Sequence, residues 1–219
     1  MRLPPSSWFL LLCVGASLAL AAPASCLYPG GTWWDAGTRG YSFWQNFLCD
    51  LARRVALDGR PNFVGARLGQ VALLALVAAF VPFWPMLSDL VQRPTLAWAV
   101  RVAGGVSIPA MAVVILLPSD RFGVAAHGVA VVSAVVLALV AAVCGVVGLW
   151  AGGSPMRGIA WLGAGTLVVT AVDFGLYAGP LVADKSGSSM TPAIQKIALG
   201  LLVAWMTSVA LHARPRDFL

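Results

Sequence analysis

The sequence predicts an all-α fold: a polytopic membrane bundle of six transmembrane helices, with a short interfacial helix in the first outer loop. Three observations lead there. Of the 219 residues, 60% are apolar and 10% are charged, against roughly 45–50% and about 25% in an ordinary soluble domain. Mean hydropathy is +0.88. The few charges are separated by apolar runs of about the 20 residues that a helix needs to cross a hydrocarbon core of about 30 Å. A soluble globule cannot hide this much apolar surface. A disordered chain is excluded too, being poor in apolar residues and rich in charge.

The first span covers about residues 8–27. Arg2, an apolar run and Ala22-Pro23-Ala24 also match a cleavable signal peptide, but the preferred reading is a retained helix; Pro23 stands where a lipobox before Cys26 needs an aliphatic residue. The second span, 68–88, lies between Arg67 and Asp89. The third, 96–117, carries Arg101 near one end. The fourth, 124–151, sits in an uncharged stretch too short for two spans and a turn, so it reads as one long, tilted helix. The fifth, 159–181, contains Asp173. The sixth, 193–212, follows Thr191 as N-cap and Pro192 at the first helical position. All belong to a single transmembrane domain, 1–219.

One connection is long. Residues 28–63 open on the turn signal Tyr28-Pro29-Gly30-Gly31. Residues 41–55 read as a short helix, with Phe43, Trp44, Phe47, Leu48 and Leu51 on one side and Asn46, Asp50 and Arg53 on the adjoining side. Such a helix suits the membrane surface or a cap packed over the bundle, and both readings stay open.

An N-in, C-in topology in the cytoplasmic (inner) membrane puts Arg2, Arg93, Arg157, Arg214 and Arg216 inside and Arg121 and Lys185 outside, as the positive-inside rule asks. Arg39, Arg53, Arg54 and Arg60 in the first loop run against it, but long loops count less. The net charge of +6 suits anionic headgroups, so membrane lipids are the expected partners. No basic tract is interleaved with aromatics, which argues against nucleic acid. Oligomeric state stays open.

Ionisable groups inside spans are costly and mark candidate sites. All eight acidic residues are aspartates. Thr166, Thr170, Asp173 and Tyr177 form one polar stripe on the fifth helix. Lys196, Gly200, Val203 and Thr207 repeat that spacing on the sixth, where Gly200 allows close approach. Lys196 either snorkels to the interface or pairs with Asp173 or Asp120. Asp120 and His127 stand seven apart across a tight turn, and also read as a cap and a buried structural histidine. Alternation of the spans brings Asp50, Asp120, His127, Asp173, Tyr177, Gln195 and Lys196 to one membrane face.

Three functions fit that grouping. The leading one is a polar site for a lipid headgroup or small ligand. The second is an intramembrane hydrolase of lipid-like substrates, with Asp50, Asp120, His127 and Asp173 around a divalent metal. It lacks any HxxxH or HExxH pair. The third is a small proton-coupled transporter with Asp173 titrating. The four cysteines form no CxxC, and Cys26 and Cys49 leave a disulfide across the first loop open.

Four features together resemble an uncharacterised bacterial six-helix family, catalogued as domain of unknown function 998 and related in outline to the Frag1/DRAM/Sfk1-like membrane proteins. They are Tyr28-Pro29-Gly30-Gly31, the run from Tyr41 to Leu51 with Asn46 and Asp50, Asn62 before the second helix, and Leu117-Pro118-Ser119-Asp120 with His127. The resemblance covers roughly residues 26–210; Cys49 stands where the family pattern has a small polar residue. It implies six spans and groups Asn46, Asp50, Asp120 and His127 as a set. It supplies no reaction.

Overall fold

The computed structural model describes residues 3–153, 156–183 and 188–213. Arg2, Lys185, Arg214 and Arg216, used in the orientation reading, lie outside the described residues. Six helices are long and apolar enough to cross a membrane: α1 (Pro5–Leu27), α2 (Phe63–Leu90), α3 (Pro94–Leu116), α5 (Val124–Ala151), α6 (Arg157–Ala183) and α7 (Thr191–His212). A single turn, α4 (Ser119–Phe122), joins α3 to α5, and a 3-10 helix, η1 (Leu48–Ala52), lies in the first loop. The chain is thus a multi-pass, all-helical membrane protein.

Prolines set two of the boundaries. Pro94 opens α3 at its first helical position, and because the residue before a proline is pushed out of the helical region, α3 ends before Pro118. The helices reach up to five residues beyond the apolar runs at their starts, as for α2, which begins at Phe63 rather than 68.

The helices form a closed ring in chain order. Each packs on its sequence neighbour, and α1 meets α7. The Ser7 hydroxyl closes that last seam by donating to the Ala210 carbonyl at 2.7 Å. Helix α2 is the most central, touching α5 and α7 besides α1 and α3. Small residues let its large ones in: a Cβ on Gly104 would collide with the Trp84 ring, and Gly145 and Gly148 take Leu87 and Val91 in the same way. Gly105 and Gly200 face open space. The expected close approach at Gly200 is therefore not made.

Large apolar side chains cover the outside of the bundle, among them Leu12, Val71, Trp98, Val129 and Trp161. In water such a surface would aggregate; in a bilayer it is the lipid contact. Exposed tryptophans mark both ends. Trp8, Trp98, Trp150 and Trp161 ring the end opposite the first loop, and Trp33, Trp34 and Trp44 stand on the loop, as expected of aromatic belts.

The first loop departs from the expected helix over residues 41–55. Turns and η1 replace it. Side chains have taken the backbone groups that a helix would use. Asn46 Oδ1 accepts from Ser42 N–H at 2.9 Å, and Asp50 Oδ2 accepts from Phe47 N–H at 2.8 Å. Asp50, Leu51 and Ala52 are buried against α2, where the bare Gly69 admits the Leu51 carbonyl. This half of the segment is a cap over the bundle; Phe43 and Trp44 remain exposed. Cys26 and Cys49 are both free thiols.

Gly104 and Gly105 make a paired test of α2 as the packing centre. Gly104→Ala should lower stability by about 1–3 kcal/mol through overpacking. Gly105→Ala should be neutral or stabilising by up to about 1 kcal/mol, the helix-propensity gain. Thermal or denaturant unfolding in detergent would show a loss of stability for the first and none for the second.

Candidate functional site

The polar residues near the loop face fall into three groups. The first fastens the loop as a roof. Asn46 is fully buried and donates from Nδ2 to Gly31 O at 2.8 Å. Asp50 is 1% exposed; Oδ1 accepts from Trp33 Nε1 at 3.2 Å, and Asn46 Nδ2 also reaches Oδ2 at 3.4 Å. Burial pushes the Asp50 carboxyl above the usual range, against the lowering pull of Phe47 N–H, Arg53, Asn46 and Trp33.

Two neighbouring residues of α7 hold this roof to the bundle. Gln195 Oε1 accepts from Leu48 N–H at 2.9 Å. Lys196 donates to the Asn46 carbonyl, with its ammonium 5.7 and 5.8 Å from the ring centres of Tyr41 and Phe43. Lys196 is 7% exposed, so it does not snorkel to water. Nor does it pair with Asp173 or Asp120: among the described residues the ion pairs are Arg60–Asp58 and Arg101–Asp89. A carbonyl and two ring faces are what the folded loop offers the amine instead.

The second group is Asp120. Its Oδ2 accepts from the backbone N–H groups of Arg54 and Val55, at 2.8 and 3.1 Å. Beside it, Arg53 Nη1 donates to the Ser119 hydroxyl at 2.7 Å and stacks over Trp33. The α3–α5 turn thereby clamps the far end of the roof. Asp120 does not cap α5, which starts after Gly123 with no side-chain cap.

The third group lines a cavity. A space of ≈ 290 Å³ lies under the roof, among α2, α3, α5, α6 and α7. Phe47, Leu48, Cys49 and Ala52 close it above. Its walls are apolar: Leu73, Leu76, Val77, Val114, Val131 and Ala134 among others. On α5 it runs from His127 to Val135, about 12 Å at about 1.5 Å per residue. Its floor is Phe80, which stacks at 5.6 Å on Trp84 and meets Phe83 at 5.9 Å; Phe83 in turn packs 5.3 Å from Trp205. These rings are all buried and block the half of the bundle beyond mid-membrane.

Into this apolar space face His127, Thr170, Asp173, Tyr177 and Gln195. His127 Nδ1 is bonded to Leu117 O at 2.8 Å. Its Nε2 and Asp173 Oδ1 are buried and have no hydrogen-bond partner. Of the seven such side-chain atoms among the described residues, only these two belong to residues that line the cavity. Cys49, in the roof, has its thiol pushed up to about 12 by burial, which keeps it protonated and a poor nucleophile.

The single site expected from topology is thus divided. His127, Asp173 and Tyr177 border the cavity; Asn46, Asp50, Asp120 and Lys196 do not, and fasten its roof instead. Thr166 also leaves the stripe, bonding back to Leu162 O within α6 at 2.9 Å. Among the described residues no three His, Cys, Asp or Glu side chains converge as metal donors. Of the expected set of Asp50, Asp120, His127 and Asp173, the first two accept from backbone N–H groups of the roof, and the last two border the cavity. Gln195 and Trp33 gained roles that sequence spacing did not assign, and the apolar walls carried no local signal.

Fold and site together define a six-span helical membrane protein with a roofed cavity opening into one half of the bundle. No family model, curated protein or solved structure matches the chain.

Asp120→Ala should free the Arg54 and Val55 amides. Each charge-assisted bond is worth roughly 1.5–3 kcal/mol. Hydrogen exchange at those two amides should therefore accelerate by at least about ten-fold, while the α1–α7 seam stays protected.

Proposed function

We propose that this chain is a binding protein for a lipid-like amphiphile, taken into the cavity beneath the first loop. The observation that carries the reading is an apolar space holding two unsatisfied polar side-chain atoms, His127 Nε2 and Asp173 Oδ1. A few convergent polar groups in an apolar pocket are the usual mark of a ligand site. Burying such groups without partners costs free energy, which an occupant would return. The volume of ≈ 290 Å³ is about twice that of an engineered cavity, about 150 Å³, that takes one benzene.

The transporter reading is less well supported. It needs a path from both faces, and the Phe80, Phe83, Trp84 and Trp205 cluster fills the way below the cavity. The resemblance to the domain of unknown function 998 family remains part of the proposal: of its four marker residues, Asn46, Asp50 and Asp120 would hold the roof and His127 would meet the ligand.

We also infer an N-in orientation in the cytoplasmic membrane. Arg53 and Arg60, which weigh against it, are engaged within the loop by Ser119, Asp58 and the Pro29 carbonyl. Cys26 is the exposed cysteine at the loop end of α1. It should react in intact cells with a membrane-impermeant maleimide; protection until lysis would reverse the orientation.

Ala134 lies in the cavity wall at 2% exposure. With the protein in phosphatidylcholine nanodiscs, photoactivatable decyl-chain amphiphiles should crosslink to residues of α2 and α5 that line the cavity. Ala134→Phe should abolish that labelling and leave labelling of the lipid-facing surface intact. Equal labelling of both proteins would remove the binding reading.

A further inference from the structure

Resting on the binding reading above, the chemistry of the two unpartnered atoms narrows the ligand. A carbonyl oxygen can only accept a hydrogen bond, so the contact of His127 Nδ1 with Leu117 O puts the ring proton on Nδ1. In the neutral ring Nε2 is then a bare lone pair. The side chain is 4% exposed, and no donor reaches Nε2. Asp173 Oδ1 is the second such atom, and an ionised carboxylate oxygen also only accepts. The cavity therefore presents two buried acceptors that no donor reaches. The hydroxyls of Thr170 and Tyr177 can serve in either sense.

The ammonium of Lys196 does not supply the missing donors. Lys196 is committed to the Asn46 carbonyl and the faces of Tyr41 and Phe43. Gln195 Oε1, a third acceptor on the cavity wall, is already filled by Leu48 N–H, while its Nε2 carries two N–H donors that reach neither His127 Nε2 nor Asp173 Oδ1.

We propose that the occupant is a single-chain amphiphile whose head is uncharged or cationic and donates hydrogen bonds: a long-chain alcohol or amine. Its head meets the acceptors of His127 and Asp173, and its chain lies along Leu73, Leu76, Val131 and Val135 toward Phe80. An anionic head would set its charge against the Asp173 carboxylate and its lone pairs against Nε2. Both contacts are unfavourable in a low-dielectric site. The volume of ≈ 290 Å³ admits one chain segment and excludes a two-chain phospholipid.

Competition between chains of equal length tests this. Two photoactivatable probes are used on the wild-type protein in phosphatidylcholine nanodiscs, one a decanol and one a decanoate, with crosslinks mapped to the cavity residues. Unlabelled 1-decanol and decylamine should suppress cavity labelling by the alcohol probe, and decanoate should do so about ten-fold less well. Asp173→Asn, which removes the charge and adds a donor at the same volume, should reduce that discrimination to within about three-fold while the cavity is still labelled. Cavity labelling by the acid probe as efficient as by the alcohol, or discrimination unchanged in Asp173→Asn, would overturn the donor-head proposal and leave the binding reading standing. Absence of cavity labelling by both probes would overturn the two together.

Discussion

A hydrocarbon core offers no hydrogen bonds, and this constraint governs the whole molecule. Each backbone group in the membrane is satisfied by helix formation, so six helices carry the chain across. Side chains have no such default. Every polar side chain placed at depth must find a partner within the protein or hold its place at a cost of a few kcal/mol. In this chain most of them do find one. Ser7, Thr166 and Lys196 reach backbone carbonyls, and Arg101 reaches Ser88 and Asp89. His127 Nε2 and Asp173 Oδ1 do not. Their position on the wall of an otherwise apolar space makes them a site rather than two isolated defects.

The roof explains how that space persists. A long loop over a bilayer would be expected to open to water; here it is nailed down at both ends by groups far away in sequence. Gln195 and Lys196 hold Leu48 and Asn46, and Asp120 holds Arg54 and Val55. Asp50 organises the middle by accepting from Trp33, Asn46 and Phe47. Burial disfavours its charge, so the donors around it are what keep the turn in this form. The α2 helix supplies the seat, since Gly69 lets the Leu51 carbonyl approach. Below, the same helix contributes Phe80, Phe83 and Trp84 to the floor. Roof and floor thus share one central helix, and the cavity is what remains between them on the loop side of mid-membrane.

Apolar length and the charges between the runs made the spans legible in the sequence: the 124–151 run is α5 to the residue, between Gly123 and Gly152. The first loop was legible only in part. Its aromatic and polar spacing matched a helix, but Asn46 and Asp50 are side chains that compete for backbone N–H groups, and tertiary contacts decided for turns. Alternation of the spans was enough to group the site residues at one end of the bundle. Their division into roof and cavity was not readable, because it depends on which way each side chain turns. Asp120 and His127 lie seven residues apart, yet one clamps the loop and the other faces the cavity. The stripe Thr170, Asp173 and Tyr177 was the one local pattern that pointed to the cavity directly.

The central claim is that the cavity is a ligand site. Native mass spectrometry of the protein released from the membranes in which it is made tests it most directly. The account predicts one tightly retained small amphiphile per chain, surviving activation that strips the surrounding lipids. A chain that sheds every adduct together with those lipids, in one continuous series, would contradict it.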